Sequence, residues 1–309
     1  MLPRRVLLVG GAGFVGLALA RRLAGLGCET HVLSRHAEPG RRDGIHFHRG
    51  SQADKALVTP LLAGCEAVVH LASTSTPGST AHAPGLEVSD NLEPLAAFLE
   101  TLVAAGPRRV IFLSSGGTIY GNPPALPATE DMPPQPLSWH AAGKLAAEEL
   151  WKTCARRQPG TALAIVRPAN VYGPGQPLRS GFGIVRTMLE RALYSEPLEI
   201  WGDGSQVRDF LYIDDLIDAC LRLLATPKAA GIFNAGAGKG TRLTELVRLA
   251  GEATGKPIPV VHRPERGIDV ASIWLDCRRL RAATGWRAET ALEDGLARTW
   301  AWMRTLPTH

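Results

Sequence analysis

Along the first half of the chain, short apolar runs alternate with segments whose apolar residues recur at the helix period. Val6–Val9, Thr30–Leu33, Ile45–His48, Ala67–Leu71, Val110–Leu113 and Ala164–Val166 read as buried strands. Between them, the stretches 14–26, 54–63, 86–105 and 138–157 read as helices. Strand and helix in alternation predict an α/β fold, a doubly wound parallel sheet joined by right-handed crossovers. After residue 170 the texture changes. Gly173-Pro174-Gly175-Gln176-Pro177 is dense in turn residues, and shorter elements follow, with helices expected at 214–225, 243–254 and 291–304. The expected division is a sheet domain over 1–170 and a smaller mixed α/β domain over 171–309. That second domain would cover the open end of the sheet, with part of 205–240 returning to the first.

Composition narrows the function. The 309 residues are 45% apolar and 20% charged, a globular mixture that excludes disorder. Net charge is +5, and most of the 34 basic residues are arginine, which suits forked recognition of phosphate. No basic run is interleaved with aromatics, so a small anionic ligand is expected and nucleic acid is not. Cys28, Cys65, Cys154, Cys220 and Cys277 are scattered without a CxxC pair, so no metal site is expected and a reducing, cytoplasmic setting is. No apolar stretch is long enough to span a bilayer, and glycines interrupt the one near the start.

Gly10-Gly-Ala12-Gly13-Phe14-Val15-Gly16 follows the first strand and opens the first helix. Glycine there serves a tight turn, close backbone approach to a pyrophosphate, and close packing of helix on strand. Strand, glycines and helix together predict a Rossmann-type, NAD(P)-binding domain. At the end of the second strand, where an acidic residue would hold a ribose 2′-hydroxyl, the chain reads Leu33-Ser34-Arg35-His36. With no carboxylate to repel a 2′-phosphate and Arg35 to pair with it, the cofactor is NAD or NADP, with NADP favoured.

Five further segments occur in order. They are Val68-Val-His70-Leu71-Ala72, Leu113-Ser114-Ser115-Gly-Gly-Thr118-Ile-Tyr120-Gly121, Arg167-Pro168-Ala-Asn170-Val-Tyr172-Gly173, Gly202-Asp203-Gly204-Ser-Gln-Val-Arg208-Asp209-Phe210 and the closing Gly285-Trp286 with Leu292-Glu-Asp294-Gly295-Leu296. On these the chain resembles, end to end, the nucleotide-sugar epimerase/dehydratase branch of the extended short-chain dehydrogenases. The resemblance implies that Leu71, Ala72, Ser73, Ser114 and Pro168 face the cofactor. It also implies that Asn170 touches the sugar or its phosphate, and that Arg208 and Arg266 grip the ligand diphosphate. The alternative for these arginines is a structural ion pair with Asp209 or Asp269. A homodimer is implied through the helices near 86–105 and 138–157, whose outer faces carry apolar residues such as Leu95, Phe98, Leu99, Leu145 and Trp151; core packing accounts for those residues equally well.

One position departs from the pattern. The family's base is a tyrosine four residues before a lysine, on one helix face. Lys144 is present, but the residue four positions earlier is His140. Tyr120, Tyr172, Tyr194 and Tyr212 all belong to other segments. Neutral imidazole is a competent base near pH 7, with Lys144 and an oxidised cofactor holding it neutral. Gly116 stands at the usual Ser/Thr position, which passes that role to Ser115 or Thr118. The family's dehydratases carry an Asp-Glu pair where this chain has Gly117 and Thr118, so dehydration is not expected. Three readings remain: epimerisation of a nucleotide-sugar, at C4 in the first instance; NADPH-dependent reduction of a sugar nucleotide or other small carbonyl compound; and a non-catalytic, redox-sensing dinucleotide binder.

Overall fold

A computed structural model describes residues 1–76, 83–178, 183–265, 267 and 269–307. In chain order its strands are β1 Arg5–Val9, β2 Glu29–Ser34, β3 Gly40–Arg42, β4 Ile45–Arg49, β5 Ala67–His70, β6 Arg109–Leu113 and β7 Ala162–Pro168. The later strands are β8 Asn170–Tyr172, β9 Leu198–Trp201, β10 Val207–Arg208, β11 Phe210–Tyr212, β12 Gly231–Ala235, β13 Thr241–Arg242 and β14 Val260–Arg263. The first helices are α1 Phe14–Gly25, α2 Lys55–Leu62 and α3 Gly85–Glu87, which runs through a π turn at Val88–Leu92 into α4 Glu93–Ala105. Then come α5 Gly116–Ile119, α6 Trp139–Arg156, α7 Ile184–Tyr194, α8 Ile213–Ala225, α9 Leu243–Thr254, α10 Arg278–Thr284 and α11 Leu292–Met303.

Eight strands form one sheet in the order β12-β7-β6-β5-β1-β2-β4-β3, and all neighbours run parallel except β3 against β4. The near-continuous apolar character of β1 follows from burial on both faces. Leu7 and Val9 pack with Val58, Phe98 and Trp151, while Val6 and Leu8 belong to the core of Leu19, Leu23 and Leu224 on the other side. Strand order reverses at β1, between β5 and β2, and such a reversal opens a crevice at the carboxyl ends of the strands. β12 pairs with β7 from Gly231↔Ala164 to Ala235↔Pro168, and α8 lies against α1 and β6.

The apolar side chains assigned to outward helix faces are core. Leu95, Phe98, Leu99 and Trp151 are 2, 0, 8 and 1% exposed, and half-buried Leu145 packs against the core. Their spacing marks the inner stripe of each helix, which sequence periodicity cannot tell from an outer one. β3 has no apolar signal because Gly40, Arg41 and Arg42 are all exposed. Among the described residues no helix is long and apolar enough to cross a membrane.

Candidate active site

The glycine loop forms a cradle that side chains would fill. Gly10 has φ of +79°, and a Cβ there would lie 2.6 Å from the Ala72 backbone. A Cβ on Gly16 would lie 2.5 Å from Gly11 Cα, so the start of α1 packs directly on the loop. α1 begins after Gly13 with no side-chain cap, and its first amides and positive dipole end are available to an anion. This loop opens into a cleft of about 1150 Å³. The residues expected at the site at 10, 12–16, 34, 35, 71–73, 114, 115, 118, 140, 144, 168, 170 and 208 all line it. The volume suits a dinucleotide and a second ligand together, being above that of ordinary small-molecule sites. Arg266 lies outside the described residues.

α6 presents His140 and Lys144 to the cleft at a four-residue interval, and fully buried Glu148 continues the same helix face behind them. Lys144 Nζ donates to the Leu113 carbonyl at 3.0 Å and sits 5.3 Å from the Phe112 ring. Burial pulls its pKa down to about 8, while the carboxylates of Glu87 and Glu148 oppose that fall. His140 is 8% exposed, and Ser75 Oγ holds its Nδ1 at 2.9 Å. Among the described residues its Nε2 has no partner. Burial first, and Lys144 second, push the His140 pKa down to about 3, so the ring is neutral at pH 7. The Thr118 hydroxyl donates to Ser115 Oγ at 2.8 Å, so these two hydroxyls form a pair at the cleft wall.

Other expected residues are placed in more particular ways. Ser114 lines the cleft, but its hydroxyl donates to the buried Glu148 carboxylate at 2.6 Å. Gly116 has no room for the usual Ser or Thr, because a Cβ would lie 2.7 Å from the Arg167 carbonyl oxygen. A Cβ on Gly117 would come within 3.1 Å of Asn170 Oδ1, so the bare loop leaves space for that amide. Asp209 is not the partner of Arg208. Its carboxylate accepts the amides of Ala237, Gly238 and Leu275, whereas Asp269 is the charge that favours ionised Arg208. Arg35 is exposed at the rim, at the end of β2.

Sequence reasoning missed several residues that the fold brings to this centre. Buried Glu87 and half-buried Asn91 and Ser75 reach it from the 85–92 turn and from the loop after β5. Gln52 meets buried His70, with Oε1 2.6 Å from Nε2. Only the run of hydroxyl residues Ser73-Thr74-Ser75-Thr76, two residues past a strand, offered a signal.

His70 and His140 give the fold an acid limit. Burial first, then Lys144, depresses His70 to about 3 as well. Both groups bind fewer protons folded than unfolded, so their stability contribution is complete above about pH 6.5 and falls as pH drops towards 3. Each costs about 1.4 kcal/mol per pH unit in that window. Asp209, raised by burial to about 6, works in the opposite direction between its folded value and the ordinary carboxylate range. Urea unfolding at pH 6, 5 and 4 is expected to show wild type losing up to about 1.4 kcal/mol per unit more than His140→Gln, and about half that between pH 7 and 6. Parallel stability curves for the two proteins would refute it.

Comparison with known proteins agrees with this geometry. The model of the NAD dependent epimerase/dehydratase family matches residues 6–236. The UDP-glucose 4-epimerase of Mycolicibacterium smegmatis is 35% identical over 306 residues, which cover 96% of this chain and 97% of the relative. The UDP-glucose 4-epimerase of Thermotoga maritima, solved with UDP-glucose, superposes with a TM-score of 0.90 at 31% identity, covering 97% of this chain and 98% of the other. That of Thermus thermophilus, solved with NAD, gives a TM-score of 0.90 at 31% identity over 97% and 99% of the two chains. A glycine cradle at the strand-order reversal, a lysine-bearing helix across from Asn170 and end-to-end likeness to these enzymes lead to one conclusion: the chain belongs to the NAD-dependent epimerase/dehydratase family.

Proposed function

We propose that the chain holds a nicotinamide dinucleotide and a nucleotide-sugar side by side in the cleft, and inverts a sugar carbon, C4 in the first instance, through a transient ketone. The observation that carries this reading is neutral His140 on the wall of a cleft large enough for both ligands, one helical turn before Lys144, with no partner for its Nε2 among the described residues. A dinucleotide seated there supplies reversible acceptance and return of a hydride. The loop amides at 10–16 and the open end of α1 receive its pyrophosphate. Lys144 sets the field around the ring, and His140 takes a proton from the sugar hydroxyl and returns it. Asn170 and Arg208, both on the cleft wall, suit the sugar and its diphosphate, the arginine by forked, charge-assisted bonds.

The expectation of NADP rests on Arg35 and the missing carboxylate at the end of β2. Likeness to the NAD-bound Thermus thermophilus structure supports NAD instead. A homodimer in the cytoplasm fits the same reading. On these helices, exposed Leu86, Val88, Val103 and Trp139, rather than buried Leu95, Phe98, Leu99 and Trp151, are apolar side chains open to a second copy.

One observation favours a second reading, NADPH-dependent reduction of a carbonyl compound. Burial and Lys144 both resist charging His140, which weakens it as an acceptor of an alcohol proton. Purified protein given UDP-glucose is expected to form UDP-galactose with its dinucleotide retained and no net loss of NADPH absorbance. Stoichiometric NADPH oxidation by a keto substrate would establish the reductase instead. Dinucleotide binding without turnover, unchanged in His140→Ala, would overturn both. In the same preparation, NAD is expected to bind at least as tightly as NADP, and Arg35→Ala to weaken only NADP.

A further inference from the structure

A polar chain behind His140 is not used by the reaction as stated above. Thr74 donates to Asn91 Oδ1 through its backbone amide at 2.9 Å and its hydroxyl at 3.1 Å, which fixes the orientation of that amide. Asn91 Nδ2 therefore faces Glu87 Oε2 at 3.0 Å and Ser75 Oγ at 3.4 Å. Ser75 Oγ lies 2.9 Å from His140 Nδ1, and Ser75 also lines the cleft.

A hydroxyl differs from a carboxylate as a partner for imidazole, because it both accepts and donates. With the proton on Nδ1, the ring donates to Ser75 Oγ and turns a lone pair at Nε2 towards the cleft, ready for an alcohol proton. With the proton on Nε2, Ser75 donates to Nδ1 and the ring is ready to protonate a ketone oxygen. Asn91 anchors the Ser75 oxygen in both arrangements.

We propose that Ser75 is a positioning residue that lets neutral His140 pass between these two tautomers, accepting the Nδ1 proton as Nε2 receives one from the sugar hydroxyl. The inference rests on the reading of His140 as the proton-moving group. In the oxidative half-reaction the O–H proton goes to Nε2, the Nδ1 proton to Ser75 Oγ and the Ser75 proton to cleft water. The C–H hydrogen leaves with its electron pair to the oxidant of the proposed function. The reductive half reverses each transfer. Such a route never charges a ring that burial and Lys144 both hold against protonation.

Nitrogen-15 NMR of the full-length protein without substrate at pH 7 tests this directly. His140 in wild type is expected to show ring shifts averaged between the two neutral tautomers, Ser75→Thr to keep that average, and Ser75→Ala to move to one form. Identical His140 shifts in wild type and Ser75→Ala would overturn the proposal. This readout needs no turnover, so an inactive protein would count against the proposed function alone. With turnover, Ser75→Ala is expected to lower kcat about tenfold with KM changed less than about twofold. The solvent-isotope proton inventory should fall from more than one proton in flight to one, and an inventory unchanged by Ser75→Ala would also refute the relay.

Discussion

Glu148→Ala is expected to lower the free energy of unfolding by about 3–5 kcal/mol, the range for stranding a buried charge. Glu148 is 0% exposed and Arg167 is 2% exposed, and the two are joined by paired bonds of 2.9 and 2.7 Å. The same carboxylate accepts Ser114 Oγ, and Arg167 also donates to Tyr120 Oη at 3.0 Å, which donates to Asn234 Oδ1 at 2.7 Å. Removing the acid leaves a guanidinium in the interior with no carboxylate against it. The network joins α6, β7 and β12 with Ser114, just past β6, and Tyr120, just past α5, so loosening it displaces the floor beneath Lys144. Chemical unfolding of wild type, Glu148→Ala and the apolar double variant Glu148→Leu/Arg167→Met checks this. The double variant is expected to recover most of the loss, since neither charge remains to be buried. A single variant within about 1 kcal/mol of wild type would contradict the assignment of Glu148 as the counter-charge of Arg167.

His140→Ala is expected to lower kcat by about 10²- to 10⁴-fold, the usual worth of a positioned acid–base group, with dinucleotide affinity little changed. No other titratable side chain stands one helical turn before Lys144 to replace it. His140→Tyr is the informative counterpart, because Lys144 acts on the two rings with opposite sign. A cation beside imidazole disfavours its charged form, whereas beside phenol it favours the phenolate. If the tyrosine variant turns over UDP-sugars faster than wild type, the native site is set for the reductive direction. If it is slower, histidine with its Ser75 partner is the working base. Wild-type activity in His140→Ala would remove His140 from the chemistry.

The elements that carry the cofactor cradle were legible because their signals are local. β1 is apolar at four consecutive positions, and the glycines that follow meet a turn, a close approach and a helix start, each with one backbone solution. Lys144 and its histidine neighbour were readable from a four-residue spacing. α7 was missed although Val185, Met188, Leu189 and Ala192 follow the helix period, because it starts beside the turn-rich segment that dominated that stretch. The roles of Asp209 and Asp269 could not be separated by sequence, since both lie near Arg208 and only folding turns Asp209 onto backbone amides.

By itself, then, the order of residues determined an α/β sheet, a phosphate-binding loop and the identity of the group standing in the tyrosine's place. Only the tertiary structure decided what that group is attached to. Ser75, Asn91 and Glu87 come from a loop and a turn far from His140 in the chain, and their meeting depends on how β5 and the 85–105 helix pack against α6. Long-range packing also set the sign of the electrostatics, because burial of His140 beside Lys144 keeps the ring neutral, and no spacing along the chain encodes that burial.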